Sequence, residues 1–130
     1  MLIVEDNAAD VFLIREAVRR AELLADLHIA RDGERAIWFF DEADADINAP
    51  CPAVVLLDIN LPKQSGSQVL QHLRKSRRCG KALVIAVSSS DLGTDREEMT
   101  RLGADGYFHK PSEYEEFMKL GNIIKDLLST

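Results

Sequence analysis

Residues 54–62 read VVLLDINLP, an apolar run that ends in the carboxylate of Asp58 and turns at Pro62. Four consecutive apolar residues are typical of a strand that is buried on both faces of a sheet. Aspartate is common where a strand gives way to a turn, so local turn chemistry explains Asp58 taken alone. The alternative is that the strand is a rigid support that holds Asp58 at the mouth of a ligand site. The rest of the chain has to distinguish these two interpretations.

Apolar segments of this kind recur along the chain, and each is followed by a helical pattern. Predicted strands cover residues 1–4, 26–31, 53–57, 82–87 and 106–109. Predicted helices cover residues 7–23, 33–44, 67–78, part of 91–103, and 112–128. Repeated strand–helix units are typical of a parallel sheet covered by helices on both faces, with right-handed connections. We therefore predict an α/β fold, a five-stranded doubly wound parallel sheet in a flavodoxin-like three-layer sandwich.

Composition restricts the possible functions. The 130 residues suggest a single domain, with 46% hydrophobic and 29% charged residues, which is ordinary for a globular protein. The formal charge of −6 argues against a nucleic-acid or anionic-membrane surface, where lysine and arginine would have to dominate. No apolar run has the length of a membrane span or a signal peptide, so a cytoplasmic protein is expected. Cys51 and Cys79 are too few and too far apart for a disulfide framework or zinc site, and we expect two reduced thiols.

Polar residues follow the predicted strands at the edge where parallel sheets bind ligands. These residues are Glu5 and Asp6 after the first strand, Asp58 and Asn60 after the third, Ser88 after the fourth, and Lys110 with Pro111 after the fifth. Three carboxylates at one edge would raise one another's pKa values if no cation were present. Mg²⁺ prefers oxygen ligands and often shares its coordination shell with a phosphate. The set therefore predicts a phosphoryl-binding pocket that contains Mg²⁺.

Asp58 is the best candidate nucleophile in this set, because a carboxylate can form an acyl phosphate. Phosphoryl transfer asks a protein mainly for positioning and charge stabilisation. The metal and the Lys110 ammonium can neutralise the phosphoryl oxygens, and the Ser88 hydroxyl can donate a hydrogen bond. These roles favour the second interpretation of residues 54–62.

Over nearly its whole length the chain resembles the receiver domain of two-component response regulators. The resemblance is carried by VED (4–6), LLDINLP (56–62), Gly66, Ser88, GADGY (103–107) and KP (110–111). The spacings from Asp58 to Ser88 and from Ser88 to Lys110 are similar to those of chemotaxis-type receivers. Each motif is weak alone, whereas the ordered set at strand ends is specific.

The resemblance implies that Asp58 is the phosphoacceptor, which receives a phosphoryl group from a phosphohistidine of a sensor histidine kinase. It implies that Glu5, Asp6, Asp58 and the backbone carbonyl of Asn60 bind Mg²⁺. Lys110 would contact the phosphoryl group, with a cis peptide bond before Pro111. Such a protein is not an enzyme, apart from self-catalysed phosphoryl transfer and autodephosphorylation.

The family resemblance also implies a switch. Ser88 stands in the place of the switch serine or threonine, and Tyr107 in that of the switch aromatic. Their movement would reshape the face formed by the fourth helix, fifth strand and fifth helix. We expect this face to bind a downstream protein or a second copy of the chain, with Phe117 and Leu120 as exposed apolar residues.

Further features narrow the resemblance to a subgroup. The chain is similar to a subgroup of stand-alone receivers that includes phytochrome-partnered ones. The similarity lies in VEDNAADVFLIREA (4–17), in DINLPK (58–63) and in the long segment between Asp6 and Asp58. Residues 1–130 are accordingly expected to be one receiver domain with no effector domain. A phytochrome-type histidine kinase is a candidate partner.

Two other classes of function stay open at this point. Phosphohydrolases of the haloacid-dehalogenase type also use an aspartate at a strand end as nucleophile. They usually carry a second aspartate two residues later, where this chain has Asn60, and a cap insertion that it lacks. A receiver-like scaffold that binds its partner without phosphorylation is the third hypothesis, which the intact acidic residues and Lys110 disfavour.

Overall fold

A computed structural model describes residues 1–23, 26–89 and 93–129 of the chain. Its strands are β1 (Leu2–Val4), β2 (His28–Ala30), β3 (Val54–Asp58), β4 (Leu83–Ser88) and β5 (Gly106–His109). Its helices are α1 (Ala8–Arg20), α2 (Gly33–Ala45), α3 (Gly66–Lys75), α4 (Gly93–Arg101) and α5 (Tyr114–Leu128). Every predicted element is confirmed, with ends that differ by up to three residues where they are described; positions 91 and 92 of the fourth predicted helix lie outside the described residues. None of these five helices has the length and apolar character needed to cross a membrane.

The strands form one parallel sheet in the order β2-β1-β3-β4-β5. The predicted doubly wound fold is therefore confirmed. The chain reverses its winding direction between β1 and β3, and the carboxyl ends of these neighbouring strands form a crevice there. In the register, Asp58 is the partner of Val87, and Ser88 is the partner of His109. The last residues of β3 and β4 thus lie at the same edge of the sheet.

The two faces of the sheet pack against different helices. Residues at alternate positions of β3 point to opposite faces, and all five residues of this strand are buried. Val55 and Leu57 join the apolar cluster of α2, α3 and α4, whereas Val54 and Leu56 join that of α1 and α5. This two-sided burial explains why the strand reads as a solid apolar block.

The interface between α1 and α5 corrects one expectation from the sequence. Phe117 and Leu120 are 1% and 0% exposed, because they face the sheet and not the solvent. Gly121 permits the close approach of the two helices, since a Cβ at this position would collide with the carbonyl oxygen of Ala17. The two apolar residues are therefore core residues, and they cannot form an apolar docking surface.

Side-chain caps fix the starts of α1 and α3 near the carboxyl edge. Asn7 accepts hydrogen bonds from the backbone N–H groups of Ala9 and Asp10 at the start of α1. Ser65 and Gln68 form a reciprocal capping box at the start of α3. These caps satisfy backbone donors that the first turn of a helix leaves without a partner. They also fix where α1 and α3 begin relative to β1 and β3.

The prediction that Cys51 and Cys79 are reduced thiols is wrong for this structure, in which they form a disulfide. Cys51 precedes β3 and Cys79 precedes β4, so both residues lie at the amino edge of adjacent parallel strands. Their Cα atoms are 5.4 Å apart, within the usual disulfide range of about 4.4–6.8 Å. This proximity was not visible in the sequence, because the two cysteines are 28 residues apart. The bond lies at the edge of the sheet opposite to Asp58.

Replacing both cysteines by serine is expected to lower the free energy of unfolding under oxidising conditions. The closed loop restricts the unfolded chain, and for a sequence separation of 28 residues this effect is about 3 to 4 kcal/mol. Denaturant unfolding of the two proteins, with and without dithiothreitol, measures the difference. The reductant should bring the wild-type protein to the stability of the double variant. Equal stability of the wild-type protein in both buffers would contradict the expected contribution.

Candidate functional site

Three carboxylates from two strands meet at the carboxyl edge of the sheet. Glu5 and Asp6 follow β1, and Asp58 is the last residue of the neighbouring β3. One carboxylate oxygen of each residue lies within 4.8 Å of those of the other two. Glu5 and Asp58 are buried, and Asp6 is exposed. The structure therefore brings together the three predicted carboxylates.

Asp58 is held in place by the turn that follows it. Its Oδ1 atom accepts a hydrogen bond of 2.9 Å from the backbone N–H of Asn60. The backbone at Ile59 packs directly on Gly66, where a Cβ would lie 2.5 Å from the Ile59 Cα atom. The side chain of Asn60 is exposed, and a metal-binding role of its backbone carbonyl stays a prediction. The turn thus fixes the orientation of a carboxylate that is only 6% exposed.

The Lys110 ammonium group lies among the carboxylates. Its Nζ atom is 2.9 Å from Oε2 of Glu5, 2.8 Å from Oδ2 of Asp10 and 3.3 Å from Oδ2 of Asp58. The backbone N–H of Lys110 donates to the carbonyl oxygen of Ser88 at 2.7 Å, which anchors the residue to the end of β4. The predicted proximity of Lys110 to Asp58 is therefore confirmed.

The predicted cis peptide bond between Lys110 and Pro111 is not found, and none of the described peptide bonds is cis. A trans bond before proline is the more stable form by roughly 0.5–1 kcal/mol. In this structure the long Lys110 side chain reaches the carboxylates of Glu5, Asp10 and Asp58 from the trans form.

Burial and charge act in opposite directions on the ionisable groups of the site. Burial is the largest influence on Glu5, and it raises the pKa of this carboxyl to about 7 although the hydrogen bond from Lys110 lowers it. Burial also disfavours the charged form of Lys110, but the hydrogen bonds to Asp10 and Glu5 outweigh it and raise the pKa of the ammonium. Lys110 is therefore a permanent cation that neutralises part of the negative charge.

Asp10 is the residue that the sequence analysis missed. It lies in the first turn of α1 and makes the shortest of the three carboxylate contacts to Lys110. The N–H of Asn7 donates to Oε1 of Glu5, and this turn places the start of α1 over the carboxyl edge. An acidic residue in the first turn of a helix that begins at this edge was the available signal.

Ser88 and Tyr107 occupy the positions expected for the switch residues. Ser88 is the last residue of β4 and is 0% exposed. Tyr107 is a half-buried residue of β5, and the guanidinium of Arg96 lies 5.8 Å from its ring centroid. These positions agree with the sequence-based hypothesis, although the switching movement itself stays a prediction.

The carboxylate trio fits a hard divalent cation. Its donors are all oxygen atoms, which suit Mg²⁺ or Mn²⁺, and it contains neither cysteine nor histidine. Two of the carboxylates are already fixed by hydrogen bonds from the N–H groups of Asn7 and Asn60. Glu5, Asp6 and Asp58 are therefore the described residues that could hold such an ion.

Comparisons with known proteins agree with this arrangement. The sequence pattern of the family described as response regulator receiver domain matches residues 1–121. Response regulator Rcp1 from Synechocystis sp. is 29% identical over 120 residues, which cover 92% of this chain and 82% of Rcp1. The crystal structure of the Mn²⁺-bound form of Rcp1 has a TM-score of 0.84, with 98% of this chain and 91% of that chain covered at 28% identity.

Two further solved structures come from phytochrome-associated relatives. The phosphorylated cyanobacterial phytochrome response regulator RcpA is 27% identical with a TM-score of 0.86, covering 99% of this chain and 92% of that chain. The bacteriophytochrome response regulator AtBRR is 34% identical with a TM-score of 0.75, covering 99% and 91% of the two chains. The protein is thus similar along its length both to a metal-bound regulator and to a phosphorylated one.

Proposed function

This chain belongs to the response regulator receiver domain family, and from that premise we propose that Asp58 accepts a phosphoryl group from a sensor histidine kinase. Receiver domains are phosphoacceptor modules of two-component signalling and not conventional enzymes. The observation that carries the assignment of Asp58 is its place at the meeting point of the carboxylate trio and the Lys110 ammonium. Of these three carboxylates, Asp58 is the one that is itself the last residue of a strand, and that strand is buried along its whole length.

The side chains around Asp58 have distinct tasks in this proposal. Glu5, Asp6 and Asp58, with the backbone carbonyl of Asn60, would hold Mg²⁺, and the bound ion would neutralise negative charge on the phosphoryl oxygens. An oxygen of Asp58 forms a bond to phosphorus while the bond from phosphorus to the histidine nitrogen of the kinase breaks. The Lys110 ammonium donates a hydrogen bond to a phosphoryl oxygen during this transfer. Autodephosphorylation reverses the modification when water replaces the Asp58 oxygen on phosphorus.

Phosphorylation of Asp58 changes the shape of a surface that binds partners. The Ser88 hydroxyl moves to a phosphoryl oxygen and Tyr107 turns inward, which reshapes the face formed by α4, β5 and α5. A downstream protein or a second copy of the chain binds this face. Since Phe117 and Leu120 are buried, recognition depends on other residues of the face.

The partners follow from the same assignment. Receiver domains take phosphoryl groups from histidine kinases, and several relatives are phytochrome-associated. The proposed donor is accordingly a phytochrome-type sensor histidine kinase, and the proposed location is the cytoplasm. Neither nucleic acid nor a membrane is part of the proposed function.

Incubation with acetyl phosphate and Mg²⁺ tests this function in the wild-type protein. Intact-mass spectrometry should show one added phosphoryl group per chain, and reduction of the acyl phosphate with borohydride should mark Asp58 in the peptide map. A parallel sample with excess chelator should show little incorporation. Multiple turnover of a phosphate ester would instead indicate a phosphohydrolase, and absence of incorporation with the metal present would overturn the proposal.

A further inference from the structure

Asp10 makes the shortest contact to the Lys110 ammonium, yet it lies outside the carboxylate trio. We propose that Asp10 is a positioning residue that competes with the phosphoryl group for the Lys110 ammonium. Its negative charge then favours the binding of Mg²⁺ and disfavours phosphorylation of Asp58. This inference rests on the proposed function of Asp58. It deepens that function by assigning a regulatory role to a residue of α1.

The geometry leaves the ammonium no spare donor. A lysine ammonium has three N–H groups, and here three carboxylates lie within hydrogen-bonding distance of Nζ. The Lys110 side chain is 11% exposed, so water offers little replacement. A phosphoryl oxygen attached to Asp58 therefore obtains an N–H from Lys110 only if one of these three carboxylates gives it up.

Asp10 is the carboxylate that can be released at the lowest cost. Its side chain is 22% exposed, whereas those of Glu5 and Asp58 are 1% and 7% exposed. Breaking a charged contact leaves the carboxylate in need of another partner, and an accessible carboxylate can be rehydrated. The contact between Asp10 and Lys110 is therefore the one exchanged when the phosphoryl group arrives.

Removal of the Asp10 charge should have effects of opposite sign on the two ligands. In Asp10→Asn the site loses one negative charge near the cation, and the ammonium is freed to contact Glu5 and Asp58 more closely. Mg²⁺ should bind about threefold to tenfold more weakly, as expected for one charge several ångströms away in a partly hydrated site. The rate of phosphorylation by acetyl phosphate at saturating Mg²⁺ should rise by a similar factor, because a competitor and a source of repulsion are both removed.

The opposite signs separate positioning from simple damage to the fold, which would weaken both activities. Calorimetric titration with Mg²⁺ and the rate of phosphorylation by acetyl phosphate provide the two readouts. Asp10→Ala should change both in the same directions as Asp10→Asn. Asp41→Asn is the matched control, since Asp41 also contacts a nitrogen-bearing side chain, with its Oδ1 atom 2.7 Å from Nε2 of His72 on the outer surface of α2 and α3. It should leave both values unchanged.

Two outcomes would overturn the role of Asp10 in a wild-type protein that incorporates phosphoryl groups. One is that both Asp10 variants leave the Mg²⁺ affinity and the phosphorylation rate unchanged, and the other is that both quantities fall together. Absence of phosphoryl incorporation in the wild-type protein would instead overturn the proposed function, and the present inference with it.

Discussion

Asp58→Asn is expected to abolish phosphoryl incorporation from acetyl phosphate while the fold stays intact. An amide oxygen is a far weaker nucleophile than a carboxylate, and it cannot form a stable acyl phosphate. The loss should therefore be complete within the sensitivity of intact-mass spectrometry. The same samples should be compared by thermal unfolding.

The stability of this variant should differ from that of the wild-type protein by about 1 kcal/mol or less. The side-chain oxygen of asparagine can still accept the hydrogen bond from the N–H of Asn60. The contact with Lys110 is lost as an ion pair, but repulsion with Glu5, which raises the pKa of that carboxyl, is lost as well. Affinity for Mg²⁺ should fall, because one of the three carboxylates has become neutral.

Asp44→Asn is a matched control for Asp58→Asn, and we expect it to affect stability and not phosphorylation. Asp44 lies in α2 near the amino edge, where it accepts hydrogen bonds from the Ser76 hydroxyl and the Arg78 backbone N–H. The backbone N–H of Arg78 is the main cause that lowers the pKa of Asp44, so the charged form is the one that the fold uses. This variant should lose stability and keep full phosphorylation. Phosphoryl incorporation in Asp58→Asn at the wild-type level would assign the phosphoacceptor to another residue.

The parts of the site that were predictable from the sequence are those that the backbone of the sheet dictates. Apolar blocks identify the buried strands, and parallel strands bring their carboxyl ends to one edge. Glu5, Asp58 and Lys110 could therefore be placed together without knowledge of any distance. The family resemblance added the order of these residues along the chain, and it narrowed the general chemistry to phosphoacceptance.

Other features depend on how side chains and loops pack, which periodicity does not encode. Asp10 is read from the sequence as a polar position of an amphipathic helix, and only the placement of α1 over the carboxyl edge directs it to Lys110. The pairing of Cys51 with Cys79 depends on the proximity of two loops at the amino edge. Phe117 was assigned to the surface, although the packing of α5 against α1 turns it to the core.

Lys110→Met is expected to lower the rate of phosphorylation by acetyl phosphate by about 100-fold or more. Methionine retains much of the length of the lysine side chain but has no group that can donate to the phosphoryl oxygens. A donor that contacts developing charge in a site with little water is worth more than the same donor at the surface.

The stability of Lys110→Met without metal should also fall, by roughly 3 kcal/mol, because Glu5 and Asp58 lose their buried cationic partner. The loss is limited by protonation of Glu5, whose pKa is already raised by burial. Saturating Mg²⁺ should restore most of the stability, since the metal ion neutralises the same carboxylates. Thermal unfolding at increasing Mg²⁺ concentrations measures this recovery.

The control for this variant is Lys119→Met. Lys119 also pairs with a carboxylate, 2.9 Å from Glu116, but on the exposed surface of α5 where such a pair contributes little. It should change neither the phosphorylation rate nor the response of stability to Mg²⁺.

Mg²⁺ affinity should rise in Lys110→Met, because the ammonium no longer competes for carboxylate oxygens, and should fall in Asp10→Asn. A fall of the Mg²⁺ affinity in both variants would mean that Lys110 supports Mg²⁺ binding and does not compete with the metal ion. That result would contradict the competition for carboxylate oxygens that the contacts of Lys110 indicate.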